Sequence, residues 1–270
     1  MNRLRSCSNQ QDKNKLVISD LKYKKYGTGK EVIITSFLTA NPKRFISLLA
    51  KDFTVYDISL RRKGFPPQLD GKQKNIVLMT WAEDIYQFAL SLKIKRFFYM
   101  GISHGGLVGW NLALLHPQCL KGLISVSGVP QGRKSSRLRL QDADSMATDV
   151  ALDRLLVSTT DLHRRKKIIT RVKAELDSIN GVPNPGLIWP DCKTDQELAS
   201  KLKKIQVPIL IIQGIQDNTN IVDIPFIATK SVPGAKSVYF QDEGHLIATE
   251  NPTRVVDEIK LFIKQRQGVL

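Results

Sequence analysis

Arg96-Phe97-Phe98-Tyr99-Met100-Gly101-Ile102-Ser103-His104-Gly105-Gly106-Leu107 is the stretch on which the fold turns. Its first part, Arg96–Met100, has a basic start and an apolar end and reads as a strand. From Gly105 to His116 the chain reads as a buried helix. Between them, Gly101-Ile102-Ser103-His104-Gly105 matches G-x-S-x-G, in which a serine on a sharp strand-to-helix turn lifts its hydroxyl above a sheet. The pattern is weak alone. It gains meaning from the strand before it and the helix after it. Glycines at 101, 105 and 106 allow strand and helix to approach closely.

Working outward, short apolar runs alternate with amphipathic stretches. Leu16–Ser19 and Lys22–Tyr26 read as a starting pair of strands, Val32–Thr35 as a buried third and Thr54–Tyr56 as a fourth. Pro42–Ala50 suits a helix with Asn41 as N-cap and Pro42 at its first position. Asn75–Leu92 is helical, with Trp81, Ile85, Phe88 and Leu92 at core spacing. Gly122–Ser127, Val207–Gly214 and Ser237–Phe240 complete the strands, and Thr253–Lys264 closes the chain as an amphipathic helix. The run Val207–Gly214 is almost continuously apolar, as in a strand covered on both faces. This alternation predicts a doubly wound α/β domain built on a parallel sheet. Residues 130–206 break the rhythm. They hold helical stretches at Ala147–Leu156 and Leu162–Leu176 and a proline-containing loop, and they read as an insertion between two sheet strands.

A serine nucleophile needs a base, and the chain has four histidines. His104 adjoins Ser103, so its side chain diverges from the hydroxyl. His116 ends a helix before Pro117, where it can cap carbonyls. His163 lies in the inserted region among Arg and Lys. His245 sits in Asp242-Glu243-Gly244-His245, directly after the last strand, in a loop beyond a strand end, where α/β sheets place their sites. The base in turn needs a carboxylate to fix its tautomer. Asp217 follows the buried strand by three residues. Residues 122–133 contain no Asp or Glu, and Asp242 and Glu243 are too near His245 along the chain to orient it easily.

Composition bounds the rest. The 270 residues, 42% of them hydrophobic, suffice for one full-sized core with a modest insertion. The net charge of +16 raises nucleic-acid binding as a hypothesis. Residues 1–30 carry eight Lys/Arg against two acids, and residues 130–206 carry fifteen against ten. Charge is therefore spread along the chain. The densest cluster, Arg164–Lys167, is short and lacks interleaved aromatics, so it reads as solvated surface. No nucleic acid is expected as partner, and the positive balance leaves an anionic substrate open. No apolar run is long enough to span a bilayer, and the first fourteen residues read as a flexible basic tail without the apolar stretch of a secretory signal. A cytoplasmic location is expected, as a monomer or homodimer. Three widely spaced cysteines argue against a disulfide framework or cysteine metal site.

These residues together resemble the α/β-hydrolase superfamily, in its capped esterase, lactonase and C–C hydrolase branch. The resemblance covers roughly 22–262. It extends to Tyr26-Gly27-Thr28-Gly29, to Leu112-Ala113 with His116-Pro117, and to Glu250-Asn251-Pro252. The order Ser103, Asp217, His245 is the order of that fold. It implies a mostly parallel twisted sheet flanked by helices, with residues 15–129 and 207–270 as core and 130–206 as helical cap. It implies Ser103 as nucleophile, His245 as general base and acid, Asp217 orienting His245, and the amides of His104 and Leu38 as oxyanion hole. Relatives carry His-Gly after the third strand, where this chain has Thr35-Ser36-Phe37-Leu38. The family's arginine-glycine segment is altered here to Asp57-Ile58-Ser59-Leu60-Arg61. No metal or organic cofactor is implied. The expected substrate is a small acyl compound: a carboxylic ester, with lactones, thioesters, C–C bonds or acyl transfer as alternatives. A low-turnover binding protein on the same fold is the alternative from another class. Trp189, Leu155, Leu156 and Leu187 could line an acyl pocket or form cap core.

Overall fold

The computed structural model describes residues 21–37, 42–64, 76–130, 152, 153, 155–177, 189 and 192–268. Its strands are β1 (Tyr23–Tyr26), β2 (Val32–Phe37), β3 (Thr54–Ser59), β4 (Phe97–Ile102), β5 (Leu120–Val126), β6 (Ile209–Gly214) and β7 (Lys236–Phe240). They form one sheet in the order β1-β3-β2-β4-β5-β6-β7. β1 runs antiparallel to β3 and every other pairing is parallel. The helices are α1 (Lys43–Leu49), α2 (Ile76–Ser91), α3 (His104–Leu115), α4 (Leu162–Asp177), α5 (Asp195–Leu202), α6 (Asp223–Ser231), α7 (Ile247–Glu250) and α8 (Pro252–Arg266).

Both faces of the sheet are covered, which explains the unbroken apolar runs. Successive side chains of a strand point to opposite faces. On β4, Phe97 and Tyr99 join one core with α2 and α3, while Phe98 and Met100 join the other with α1 and α8. β6 splits likewise, with Ile209 and Ile211 on the first face and Leu210 and Ile212 on the second. Because neither face meets water, neither needs polar alternation.

Strand order sets the site. From β2 the chain passes through α1 to β3 on one side, then through α2 to β4 on the other. The direction of winding reverses there, and such a switch point opens a crevice at the carboxyl ends of the strands. Ser36 of β2 pairs with Gly101 of β4 at that edge.

Several expectations change. The predicted strand Leu16–Ser19 and the N-cap Asn41 lie outside the described residues. Pro42 is the N-cap of α1 and not its first helical residue. The helix expected over Ala147–Leu156 is helical at 152 and 153 but has ended by Leu155, where the Leu155 amide bonds back only three residues to Leu152. α4 matches its predicted span to within one residue. Trp189 is core. It packs in the cluster that holds Leu198, Leu202 and Ile205, with the Lys201 ammonium over its ring. Leu155 and Leu156 are buried, and Leu187 lies outside the described residues. No helix among the described residues is long and apolar enough to cross a membrane.

Candidate active site

Ser103 sits between β4 and α3 with φ 51° and ψ −116°. A non-glycine residue held there costs about 1–3 kcal/mol, so the surroundings must impose the turn. They do so by crowding and hydrogen bonding. A Cβ on Gly101 would collide with the backbone of Gly105, and a Cβ on Gly105 would collide with the Ser36 carbonyl. The Ser103 amide donates to the Val126 carbonyl of β5 at 3.0 Å. Beneath the turn, the buried Tyr99 hydroxyl donates to the Gly105 carbonyl at 2.9 Å. Tyr99 has only one proton, so Ser36 Oγ, 2.5 Å away, donates to it. These bonds tie β2, β4 and the start of α3 into one frame.

Asp217 follows β6 in a tight loop and is 3% exposed. Its Oδ1 accepts the backbone amides of Thr219 and Asn220, each at 2.8 Å. Its Oδ2 accepts Gln213 Nε2 at 2.8 Å and faces His245 Nδ1 at 2.8 Å. Burial works against the charged carboxylate. The His245 charge and the hydrogen bonds from His245, the Asn220 amide and Gln213 outweigh it and hold the Asp217 pKa below the ordinary value.

His245, 7% exposed, lies in the loop after β7. Oδ2 of an ionised carboxylate can only accept, so Nδ1 carries the ring proton. Nε2 is left as the acceptor, and Ser103 Oγ lies 3.0 Å from it. Burial disfavours the imidazolium, but the charge and hydrogen bond of Asp217 raise the His245 pKa above its usual value. The structure thus brings together Ser103, His245 and Asp217, which are 142 and 28 residues apart in sequence along this chain of contacts.

The remaining candidates are also placed. His104 opens α3. Burial and the neighbouring His245 push its pKa down to about 4, which keeps it neutral. Leu38 lies outside the described residues. Asp242 and Glu243 both bond to Arg254, whose guanidinium stacks on Phe240. The His116 backbone amide donates to the Leu112 carbonyl of α3, but the His116 side chain does not cap the helix. Its Nε2 meets Glu83 Oε2 at 2.7 Å, and its ring stacks on Tyr86 at 3.8 Å. The carboxylate and the aromatic face are both supplied by α2. Arg61, in the altered segment, forms an ion pair with the buried Asp84 and accepts the Trp81 indole N–H on its carbonyl.

Two functional-looking residues escape the sequence. Gln213 is one. The other is Glu250, which is 2% exposed and fastens the segment 157–159 to the histidine loop. Glu250 accepts the amides of Val157 and Thr159 at 3.1 and 2.7 Å and the Ser158 hydroxyl at 3.0 Å. Asn251 Nδ2 donates to both Ser158 Oγ and Glu243 Oε1. A Cβ on Gly244 would strike Val157, so the two segments are in direct contact. The basic cluster is largely solvated, as read, with Arg164, Lys166 and Lys167 exposed, but its two arginines also bond inward. Arg164 donates to the Glu250 carbonyl at 2.5 Å, and Arg165 binds Asp153 and the carbonyls of Asp153, Leu156 and Thr159. Arginine serves here because its planar fork carries five donors. Glu250→Ala strands three donors, one buried and two half-buried, each costing up to about 1–3 kcal/mol before water compensates. Thermal unfolding should show Tm lower by roughly 5–10 °C.

A strained serine facing a buried His–Asp pair, above the carboxyl ends of a mostly parallel sheet, defines an α/β hydrolase. Residues 47–223 match the model of the family described as "Hydrolase_4: Serine aminopeptidase, S33", and the chain belongs to that family. It is 28% identical over 193 residues to a proline iminopeptidase of Saccharolobus solfataricus, covering 62% of this chain and 61% of that protein, less than two thirds of its length. It is 24% identical over 230 residues to an uncharacterized carboxylesterase of Bacillus subtilis, covering 81% and 72%. Among solved structures, a hydrolase from Pseudomonas aeruginosa aligns with TM-score 0.70 at 20% identity over 90% of this chain and 94% of that one. A thermophilic esterase from Thermogutta terrifontis aligns with TM-score 0.69 at 18% identity over 91% and 93%. At these identities the structural likenesses establish the fold.

Proposed function

We propose that this protein is a serine hydrolase that cleaves a carboxylic ester or related acyl bond of a small molecule through an acyl-enzyme. One observation carries the reading: Ser103 Oγ, His245 Nε2, His245 Nδ1 and Asp217 Oδ2 form a continuous line with gaps of 3.0 and 2.8 Å. In the first half-reaction, His245 Nε2 takes the Ser103 proton as Oγ attacks the carbonyl carbon. Asp217 stabilises the imidazolium without itself taking the proton. The oxyanion is held by the amide of His104, at the N-terminus of α3, and by that of Leu38, where fixed dipoles act without reorganising. Collapse expels the alcohol, which leaves with the proton from His245. Water then attacks the acyl-enzyme, with His245 as base, and releases the acid and free Ser103. The region 130–206 would serve as the helical cap, and the Glu250 bonds to its segment 157–159 support that reading.

The test is a panel of short acyl nitrophenyl esters, with labelling by a fluorophosphonate and mapping of the labelled peptide. Turnover and a label on Ser103 are expected. A folded protein that is neither labelled nor active on any acyl substrate defeats the proposal. The iminopeptidase relative and the family's aminopeptidase description favour one second reading, hydrolysis of an amide after an N-terminal proline. Prolyl nitroanilide, assayed alongside the esters, separates the two.

A further inference from the structure

Gln213 is the one polar side chain on β6, a strand whose residues are all buried. Burying an amide costs free energy unless it is hydrogen-bonded, so its presence needs an explanation. Its Nε2 donates to Asp217 Oδ2 at 2.8 Å and to the Asn220 carbonyl at 2.9 Å. Both neighbours are pure acceptors, which fixes the amide orientation. The opposite flip would set oxygen against oxygen twice. Its Oε1 has no partner among the described residues, so the side chain is held by what its nitrogen does.

We infer that Gln213 is a positioning residue for catalysis, acting through Asp217 to aim and moderate the base His245. This rests on the triad reading above. Nε2 and His245 Nδ1 share one oxygen, Oδ2, while the two backbone amides hold Oδ1. The carboxylate therefore has no lone pair left with which to rotate towards other partners. The positive end of the Gln213 amide also lies beside the site where the imidazolium forms. It takes up part of the Asp217 charge and limits how far that charge raises the His245 pKa. Among the described residues, the groups that hydrogen-bond to the Asp217 carboxylate and the His245 ring or act on their charge are Gln213, the Thr219 and Asn220 amides, Ser103 and the neutral His104.

Two measurements test this. In the wild-type protein, the Gln213 side-chain amide resonance should move as the Asp217–His245 pair titrates, together with the downfield His245 Nδ1–H signal. An amide insensitive to that titration overturns the inference. In Gln213→Met, which keeps the length and loses the amide, the acidic limb of kcat/KM on a short nitrophenyl ester should move up by about one pH unit. The kcat should fall about tenfold, with KM within about twofold. Asn220→Ala is the structural control. Its side chain donates to the Ser127 carbonyl and not to Asp217, so it can loosen the loop but should leave the limb in place. A limb that stays put in a folded Gln213→Met, or that moves equally in both variants, overturns the inference. A wild-type protein without turnover or Ser103 labelling would instead sink the proposed function.

Discussion

Replacing Ser103 with alanine is expected to lower kcat/KM on acyl esters by about 10⁴–10⁶-fold and to abolish fluorophosphonate labelling. The oxygen removed is the atom that forms the acyl bond, and no other hydroxyl in the described residues faces His245 Nε2. The fold should survive, because alanine keeps the Cβ and the backbone bonds to Val126 and Leu107 do not involve the side chain. Glycine at the same position should be equally inactive but more stable. At φ 51° and ψ −116° both serine and alanine are strained, whereas glycine is not. Offset by glycine's greater unfolded-state entropy, the gain should raise Tm by roughly a few degrees over the alanine variant. Activity retained within about tenfold in Ser103→Ala would remove Ser103 from the mechanism, and equal Tm values in the two variants would remove the strain.

Ser103, Asp217 and His245 were legible because each lies within five residues of the end of a strand-like run, and in this fold the ends of such runs meet at one edge of the sheet. What could not be read depends on contacts between distant segments. Gln213 looks like an ordinary strand exit, since its meaning lies in the path of a loop that turns back four residues later. Glu250 stands in a family-like stretch, but its bonding role is hidden because its partners stand 91 to 93 residues upstream. For the same reason the surface charges Arg164 and Arg165 gave no sign of their second role: composition cannot say which backbone carbonyls a guanidinium reaches. Period-2 burial on both faces was visible in Val207–Gly214, yet that same apolarity masked the significance of its single amide. At Pro42 the fixed φ of −57° suits a first helical residue, but its ψ of 110° is extended, which leaves Pro42 as the cap.

Asp217→Asn should lower kcat by about 10⁴-fold with little change in KM. The loss follows from counting donors. The fixed amides of Thr219 and Asn220 demand an acceptor at the Oδ1 position, so the asparagine oxygen must lie there. Its NH₂ then takes the Oδ2 position and points at His245 Nδ1 and Gln213 Nε2. Nδ1 must become an acceptor, which moves the ring proton to Nε2 and aims it at Ser103 Oγ. A base already protonated on the reacting side cannot take the serine proton. The pH dependence should change as well. Ionised His245 is inactive as a base, so kcat/KM rises as pH passes through its pKa. Asp217 raises that pKa against the opposing effect of burial. Without the carboxylate, burial acts alone and the acidic limb moves to lower pH, opposite to the shift expected for Gln213→Met. Two substitutions around one carboxylate oxygen should thus move the same limb in opposite directions. A loss of packing alone would produce neither shift, which makes the pair of pH profiles a stricter check on the His245–Asp217 geometry than either loss of rate.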